Sequence, residues 1–133
     1  MIDLQELRDS AQKAFPADKL APPRDESWQL VTEMGWLMIG LSEEQGGLEL
    51  GRGAAAAVQY ELGRVLAAAP LTPALLALEA IAASSGLADR ESWIERICGG
   101  EYVPLNMLPG AVSTDESGSL NGTVCGLFDA DMA

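Results

Sequence analysis

A mainly α-helical fold, an antiparallel bundle of about five helices followed by a short strand or hairpin segment, is what this sequence predicts. Three observations carry the expectation. Apolar residues recur at spacings of three and four, as in LQELRDSAQKAF near the start and GAAAAVQYELGRVLAAA in the middle. Pro16, the APPR run at 21–24, Pro70, Gly86 and the Gly99-Gly100 pair punctuate the chain at helix-length intervals. Beyond Gly100 the helical period gives way to β-branched residues and turn chemistry.

Each element has its own signal. Asp3 reads as an N-cap with Glu6 placed to complete a capping box, and Leu4, Leu7, Ala11, Ala14 and Phe15 mark one face up to Pro16. Asp25 and Ser27 offer cap oxygens to a second helix carrying Trp28, Val31 and Met34, which Gly35 interrupts. Alanine costs little side-chain entropy, so GAAAAVQYELGRVLAAA is the strongest helix, with Ala54, Val58, Leu62, Val65 and Leu66 on its stripe and Pro70 at its end. Thr72 before Pro73 reads as the start of a fourth helix, ALLALEAIAAS, apolar on most of its circumference and therefore expected to be buried on nearly all sides. Gly86 is its expected stop. Asp89 caps RESWIERIC, whose Trp93, Ile94 and Ile97 point inward, and Gly99-Gly100 close it. After that, YVPLNML reads as an edge strand, TDESGS as a turn and SLNGTVCGLF as a second strand. We divide the chain at 1–103, a helical domain, and 104–133, the start of a β-domain. Two strands bury no face by themselves, so the chain reads as the front portion of something longer.

Composition excludes several functions. At 48% apolar and 21% charged, the chain has the makings of one globular domain. A net charge of −12 repels phosphate backbones, which argues against nucleic acid as a partner. No histidine is present, so neither a His-dependent nucleophile nor a His-ligated metal is available. Cys98 and Cys125 lack metal or redox spacing and read as two buried thiols. The N-terminal residues have neither the basic flank nor the apolar run of a leader peptide. No stretch approaches the roughly 18 apolar residues of a membrane span, so a cytoplasmic protein is expected.

The loop GLSEEQGGLELG, residues 40–51, sets two adjacent acids ahead of two adjacent glycines. Gly46 and Gly47 permit positive φ and close backbone approach. Nothing nearby would split the pKa values of Glu43 and Glu44, so they are not an acid/base pair. Taken alone, the stretch also suits a solvated connector. In context, EMGWLMIGLSEEQGG, then YELGRVLAAAPLTP, then ICGGE, resembles in order the N-terminal helical domain of the acyl-CoA dehydrogenases. That family shows a Gly-Trp helix end, a Leu-x-x-Pro-Glu-x-x-Gly-Gly loop, an alanine-rich helix with Glu-Leu-Gly-Arg and a closing Gly-Glu. SLNGTVCGLFDADMA resembles the family's early β-domain segment. Ser42 stands where the family usually has proline. The family's Thr-Glu-Pro-x-x-Gly-Ser-Asp segment, which contacts flavin and thioester, is replaced by NMLPGAVSTDESGSL.

The resemblance implies part of an FAD-dependent enzyme that removes the α-proton of an acyl-CoA thioester with a glutamate and passes the β-hydride to flavin. It implies an oligomer, and further domains or a partner subunit supplying the glutamate and most of the FAD site. No residue here takes the catalytic role, and the isolated chain is expected to be inactive. Carried over by position, Leu71, Ala74, Leu75 and Leu78 approach the acyl tail, although plain core packing explains each equally well. Asn106, Met107 and Leu108 fall where the family's backbone nears the flavin. Glu43, Gly46 and Gly47 are scaffold. Two other readings remain open at this point: a non-catalytic subunit of the same family, and an unrelated helical interaction module.

Overall fold

The computed structural model describes residues 3–106, 108 and 110–133. Met107 lies outside the described residues. Five α-helices precede a two-stranded antiparallel hairpin: α1 (Leu4–Ala14), α2 (Arg24–Glu33), α3 (Gly51–Arg64), α4 (Leu71–Ala83), α5 (Arg90–Cys98), β1 (Ala111–Thr114) and β2 (Leu120–Thr123). Single 3₁₀ turns occupy Trp36–Met38, Glu43–Gln45 and Ala130–Met132.

The capping box of α1 forms as its sequence requires. Asp3 Oδ1 accepts the Glu6 N–H at 2.8 Å and Glu6 Oε2 accepts the Asp3 N–H at 3.3 Å. The start of α2 differs from expectation: Pro23 occupies the cap position and neither Asp25 nor Ser27 caps. Proline needs no N–H partner, so the helix begins two residues earlier, and buried Ser27 instead donates back to the Pro23 carbonyl at 2.9 Å. Gly35, at φ +71°, ends this segment in a left-handed turn that a β-carbon would strain.

The two glycines of the loop divide the labour. Gly46 sits at φ +78° with open space around it, so its need is conformational. Gly47 has ordinary φ, but a β-carbon there would drive into the Leu41 carbonyl, so its need is steric. That close approach lets the chain fold back on itself: Leu48, Glu49 and Leu50 donate to the carbonyls of Met38, Leu41 and Ile39, each at 2.9 Å. Glu43 and Glu44 stay exposed, and the cap-like contact is made by Glu49, whose carboxylate accepts the Glu43 N–H at 3.2 Å. Ser42 in place of proline still closes the turn, since its hydroxyl donates to Gln45 Oε1 at 3.1 Å.

The core gathers Leu7, Ala11 and Phe15 of α1, Val31 of α2, Ala54, Val58 and Leu62 of α3, Leu71, Ala74 and Leu78 of α4, and Ile94 and Ile97 of α5 around Trp36. The stripe of α3 is buried as expected except Leu66, which stands at φ +58° and 67% exposed where the helix has already ended. Between them, at a turn's spacing from Val58 and Val65, lies a residue the stripe did not include: Glu61 is fully buried. Two cationic side chains converge on it. Arg64 Nε donates to Oε2 at 2.7 Å, and Arg8 Nε and Gln12 Nε2 donate to Oε1 at 3.1 and 3.2 Å. Arg64 also donates to the Phe15 carbonyl at 3.0 Å, so this network joins α1 to α3.

Helix α4 departs most from its sequence reading. It starts at Leu71 behind Pro70, and the Thr72 hydroxyl donates sideways to Gln59 at 2.9 Å instead of capping. It ends at Ala83, before Gly86. It is also not enclosed: Leu75, Leu76 and Ile81 are half-buried, because within this chain α3 and α5 leave part of the apolar circumference open. Asp89 precedes α5 as expected but caps nothing, being in the left-handed region at φ +58°. Trp93 is half-buried beneath the Arg96 guanidinium, 4.2 Å from the ring centre, while Ile94 and Ile97 point inward.

Residues 102–106, expected in a strand, are irregular. Pairing instead begins at Ala111, opposite Thr123, and runs to Thr114 opposite Leu120 around the expected TDESGS turn. A proline-interrupted segment has no free run of donors to pair, whereas AVST does. Along the hairpin, Val112 and Leu120 are exposed, as a two-stranded sheet dictates. The chain then comes back to the helices. The Tyr102 hydroxyl donates to the Phe128 carbonyl at 2.8 Å, and Arg24 pairs with Asp129 at 3.2 Å and Asp131 at 2.6 Å. Both cysteines are free thiols; Cys98 is half-buried and Cys125, against expectation, is exposed on the stretch following the hairpin.

Candidate functional site

Two apolar concavities flank α4. The first, about 490 Å³, lies between α4, the start of α3 and the glycine loop, against Leu37, Leu41, Ala55, Leu75, Leu78 and Ala82. Arg52 and Glu79 pair at 2.7 Å among its lining residues. The second, about 510 Å³, opens at the first turns of α4 and is formed by Thr72, Pro73, Leu76, Leu105 and Phe128, with no polar surface. The Thr72 hydroxyl is spent on Gln59.

The sequence-derived acyl residues are divided by this arrangement. Leu71 and Ala74 are fully packed in the core, and Leu75 and Leu78 border the first concavity. None of the four borders the second. Its helical members, Thr72, Pro73 and Leu76, occupy the adjoining face of the same helix, one residue round from the positions singled out. Leu105 and Phe128 carry no local signal, since only the chain's return across α4 brings them there.

Of the flavin candidates, Asn106 Oδ1 accepts the Leu108 N–H at 3.1 Å, closing a small turn. Exposed Leu108 lies against Gly126, where a β-carbon would collide with it. By itself this turn does not fit a flavin. Asn106 is half-buried with its amide oxygen engaged, Leu108 is exposed, and among the described residues the turn offers no cation to a pyrophosphate.

Charged groups show what the chain can do chemically. Glu61 is the one buried carboxylate among the described residues. Burial pushes its carboxyl up, but hydrogen bonds from Arg64, Gln12 and Arg8 outweigh that and hold it below the ordinary value. A carboxylate with its lone pairs occupied and its basicity lowered does not abstract a proton from carbon. Burial pushes the Cys98 thiol up, away from nucleophilic use. The Asp131 carboxyl is held down by its hydrogen bonds to Arg24. Among the described residues no cluster of Cys, Asp and Glu is arranged to hold a metal, and no helix is long and apolar enough to cross a membrane.

Residues 4–101 match the family model "Acyl-CoA dehydrogenase, N-terminal domain", and the chain belongs to the acyl-CoA dehydrogenase family. The fold is similar to that of a solved structure, a glycine-to-alanine variant of the Tcur3481-Tcur3483 steroid ACAD, at 29% identity and a TM-score of 0.59, covering 74% of this chain. The chain spans 30% of that protein's length. No curated protein matches it. Membership removes the reading as an unrelated helical module.

Proposed function

We propose that this chain forms the N-terminal helical domain (1–103) and the beginning of the β-domain (104–133) of an FAD-dependent acyl-CoA dehydrogenase acting in the cytoplasm, and that it encloses the hydrocarbon part of the acyl thioester. The observation that carries the reading is the cavity at the start of α4, whose lining offers carbon and no hydrogen-bonding group. Such a surface selects for an apolar tail and leaves thioester and nucleotide to be held elsewhere. The net charge of −12 supports the same division, because it disfavours the phosphates of coenzyme A on this domain. The catalytic glutamate and the FAD site belong, in this reading, to further domains or a partner subunit in an oligomer. Asn106 to Leu108 form at most an edge against the flavin. Leu75 and Leu78 line the first concavity, between α4 and the glycine loop, which suits the far end of a long tail, with Leu71 and Ala74 packed behind them.

A second reading, a non-catalytic subunit of the same family, is favoured by one feature. Where family members carry Thr-Glu-Pro-x-x-Gly-Ser-Asp, this chain runs through NMLPGAVSTDESGSL, and that stretch leads into an exposed hairpin.

Both readings keep the acyl cavity, and a neutral probe tests it. N-acetylcysteamine thioesters carry the acyl group without the phosphates. Titrated into the ¹⁵N-labelled chain, octanoyl and steroid-side-chain thioesters should shift the amides of Thr72, Leu76, Leu105 and Phe128. Leu76→Asp should abolish those shifts. Absence of any shift, or shifts confined to other faces of the molecule, would count against the reading.

A further inference from the structure

The cavity at the start of α4 has one wall that does not belong to the helical bundle. Thr72, Pro73 and Leu76 are fixed by the helix, and Leu105 follows closely on Tyr102, which is buried in the core. Phe128 comes from the far end of the chain, beyond the hairpin, and is 56% exposed. An exposed ring on an irregular segment is not held by packing. Hydrogen bonds and ion pairs at its carbonyl and at the residues just after it hold it instead.

Three contacts do this. The Tyr102 hydroxyl donates to the Phe128 carbonyl at 2.8 Å, and Tyr102 is itself anchored edge-on against Trp28, with ring centres 5.6 Å apart at 83°. Trp28 Nε1 in turn donates to the Gly100 carbonyl at 2.8 Å, so the anchor ties α2 to the end of α5. Arg24, at the first turn of α2, spans the next residues. Its Nη1 donates to Asp129 Oδ1 at 3.2 Å and to Asp131 Oδ1 at 3.1 Å, and its Nη2 donates to Asp131 Oδ2 at 2.6 Å. The two bonds to Asp131 are the bidentate fork that guanidinium geometry favours, which a lysine cannot reproduce. Asp129 stands at φ +48°, a left-handed turn, and Met132 beyond it packs on the margin of the core.

We propose that Phe128 is a specificity-determining residue for the acyl group, and that Arg24 and Tyr102 are positioning residues clasping it over the start of α4. The inference rests on the acyl-enclosing reading above and deepens it. Residues 129–131 act as a strap: with the strap closed, the ring bounds a cavity of about 510 Å³. With it released, the cavity loses that wall and its discrimination by shape.

The test uses the full chain and the same neutral thioesters, octanoyl against steroid-side-chain, and reads the ratio of their dissociation constants from the Leu76 and Leu105 amide shifts. Phe128→Ala removes an exposed ring and leaves the core intact; it should change the ratio roughly tenfold, the scale of shape discrimination in an apolar pocket. Arg24→Met keeps the apolar stem, frees the strap and should move the ratio in the same direction, with Arg24→Lys restoring it in part. Asp131→Asn breaks the same fork from the other side, and melting curves check that each variant is folded. Binding at the cavity with the ratio unchanged in Phe128→Ala and Arg24→Met overturns this inference and leaves the acyl-cavity reading standing. No binding by the unmodified chain overturns both.

Discussion

Replacing Glu61 by glutamine tests whether α1 is held to α3 by a buried ion network rather than by apolar contact alone. The side chain is fully buried and receives three hydrogen bonds, two of them from guanidinium groups at 2.7 and 3.1 Å. Glutamine keeps the volume and one acceptor oxygen, but it removes the charge and points an NH₂ at donors. Charge-assisted bonds contribute about 1.5–3 kcal/mol each, against ~1 kcal/mol for neutral ones. Arg8 and Arg64 are 41% and 29% exposed at the side chain, so each regains some hydration when unpaired. The net cost is therefore about 2–3 kcal/mol, below the roughly 3–5 kcal/mol of breaking a fully enclosed pair. For a domain of this size that is a fall in Tm of about 10 °C.

The pH dependence follows with a definite sign. The Glu61 carboxyl is held below its ordinary value of 4.5, so the folded state prefers it ionised. Its contribution is fully present above that pH and is lost as the pH falls through the lower, folded value. Urea unfolding of the unmodified chain and Glu61→Gln from pH 7 down to pH 3 should show two curves that converge toward acid. A loss under ~0.5 kcal/mol at pH 7, or curves that stay parallel to pH 3, would refute the reasoning.

Other expectations follow from single positions. Gly47→Ala should cost on the order of 3 kcal/mol or more because of the Leu41 carbonyl, while Gly46→Ala should cost only the left-handed penalty of about 1–2 kcal/mol. Gly63→Ala, exposed within α3 with open space at its β-carbon, should instead stabilise by about 0.5–1 kcal/mol, so thermal melts of the three variants give opposite signs. Asp3→Ala removes the capping box and should cost about 1 kcal/mol by the same melts. With a thiol-specific chromogenic reagent, exposed Cys125 should react well before Cys98, whose thiol is pushed up by burial; equal rates would contradict the fold around α5. Incubation with FAD followed by desalting should leave the isolated chain colourless, and retained flavin bands would show that this chain holds more of the flavin site than the reading assigns to it.

The helices were legible in the sequence because their information is local. The period of Ala54, Val58 and Leu62, the Asp3–Glu6 box and the Gly99-Gly100 stop each act within about one turn of the backbone. The paired glycines could be read as a tight turn, though not that one serves φ and the other a neighbour's carbonyl, since the second fact depends on where Leu41 lies. Helix starts were misjudged by two residues or more at Pro23 and Pro70, where proline took the cap position ahead of the Asp, Ser and Thr residues that normally fill it. The buried Glu61 was hidden because a charged residue on an apolar stripe is explained only by cations from elsewhere, here Arg8 and Gln12 of α1 with Arg64 of its own helix. The cavity was hidden for the same kind of reason. Sequence periodicity can name the faces of α4, but which face meets Leu105 and Phe128 is decided by the Arg24 and Tyr102 contacts, made by residues 107 and 26 positions from their partners. Local chemistry determined the elements; contacts between residues distant in sequence determined the site.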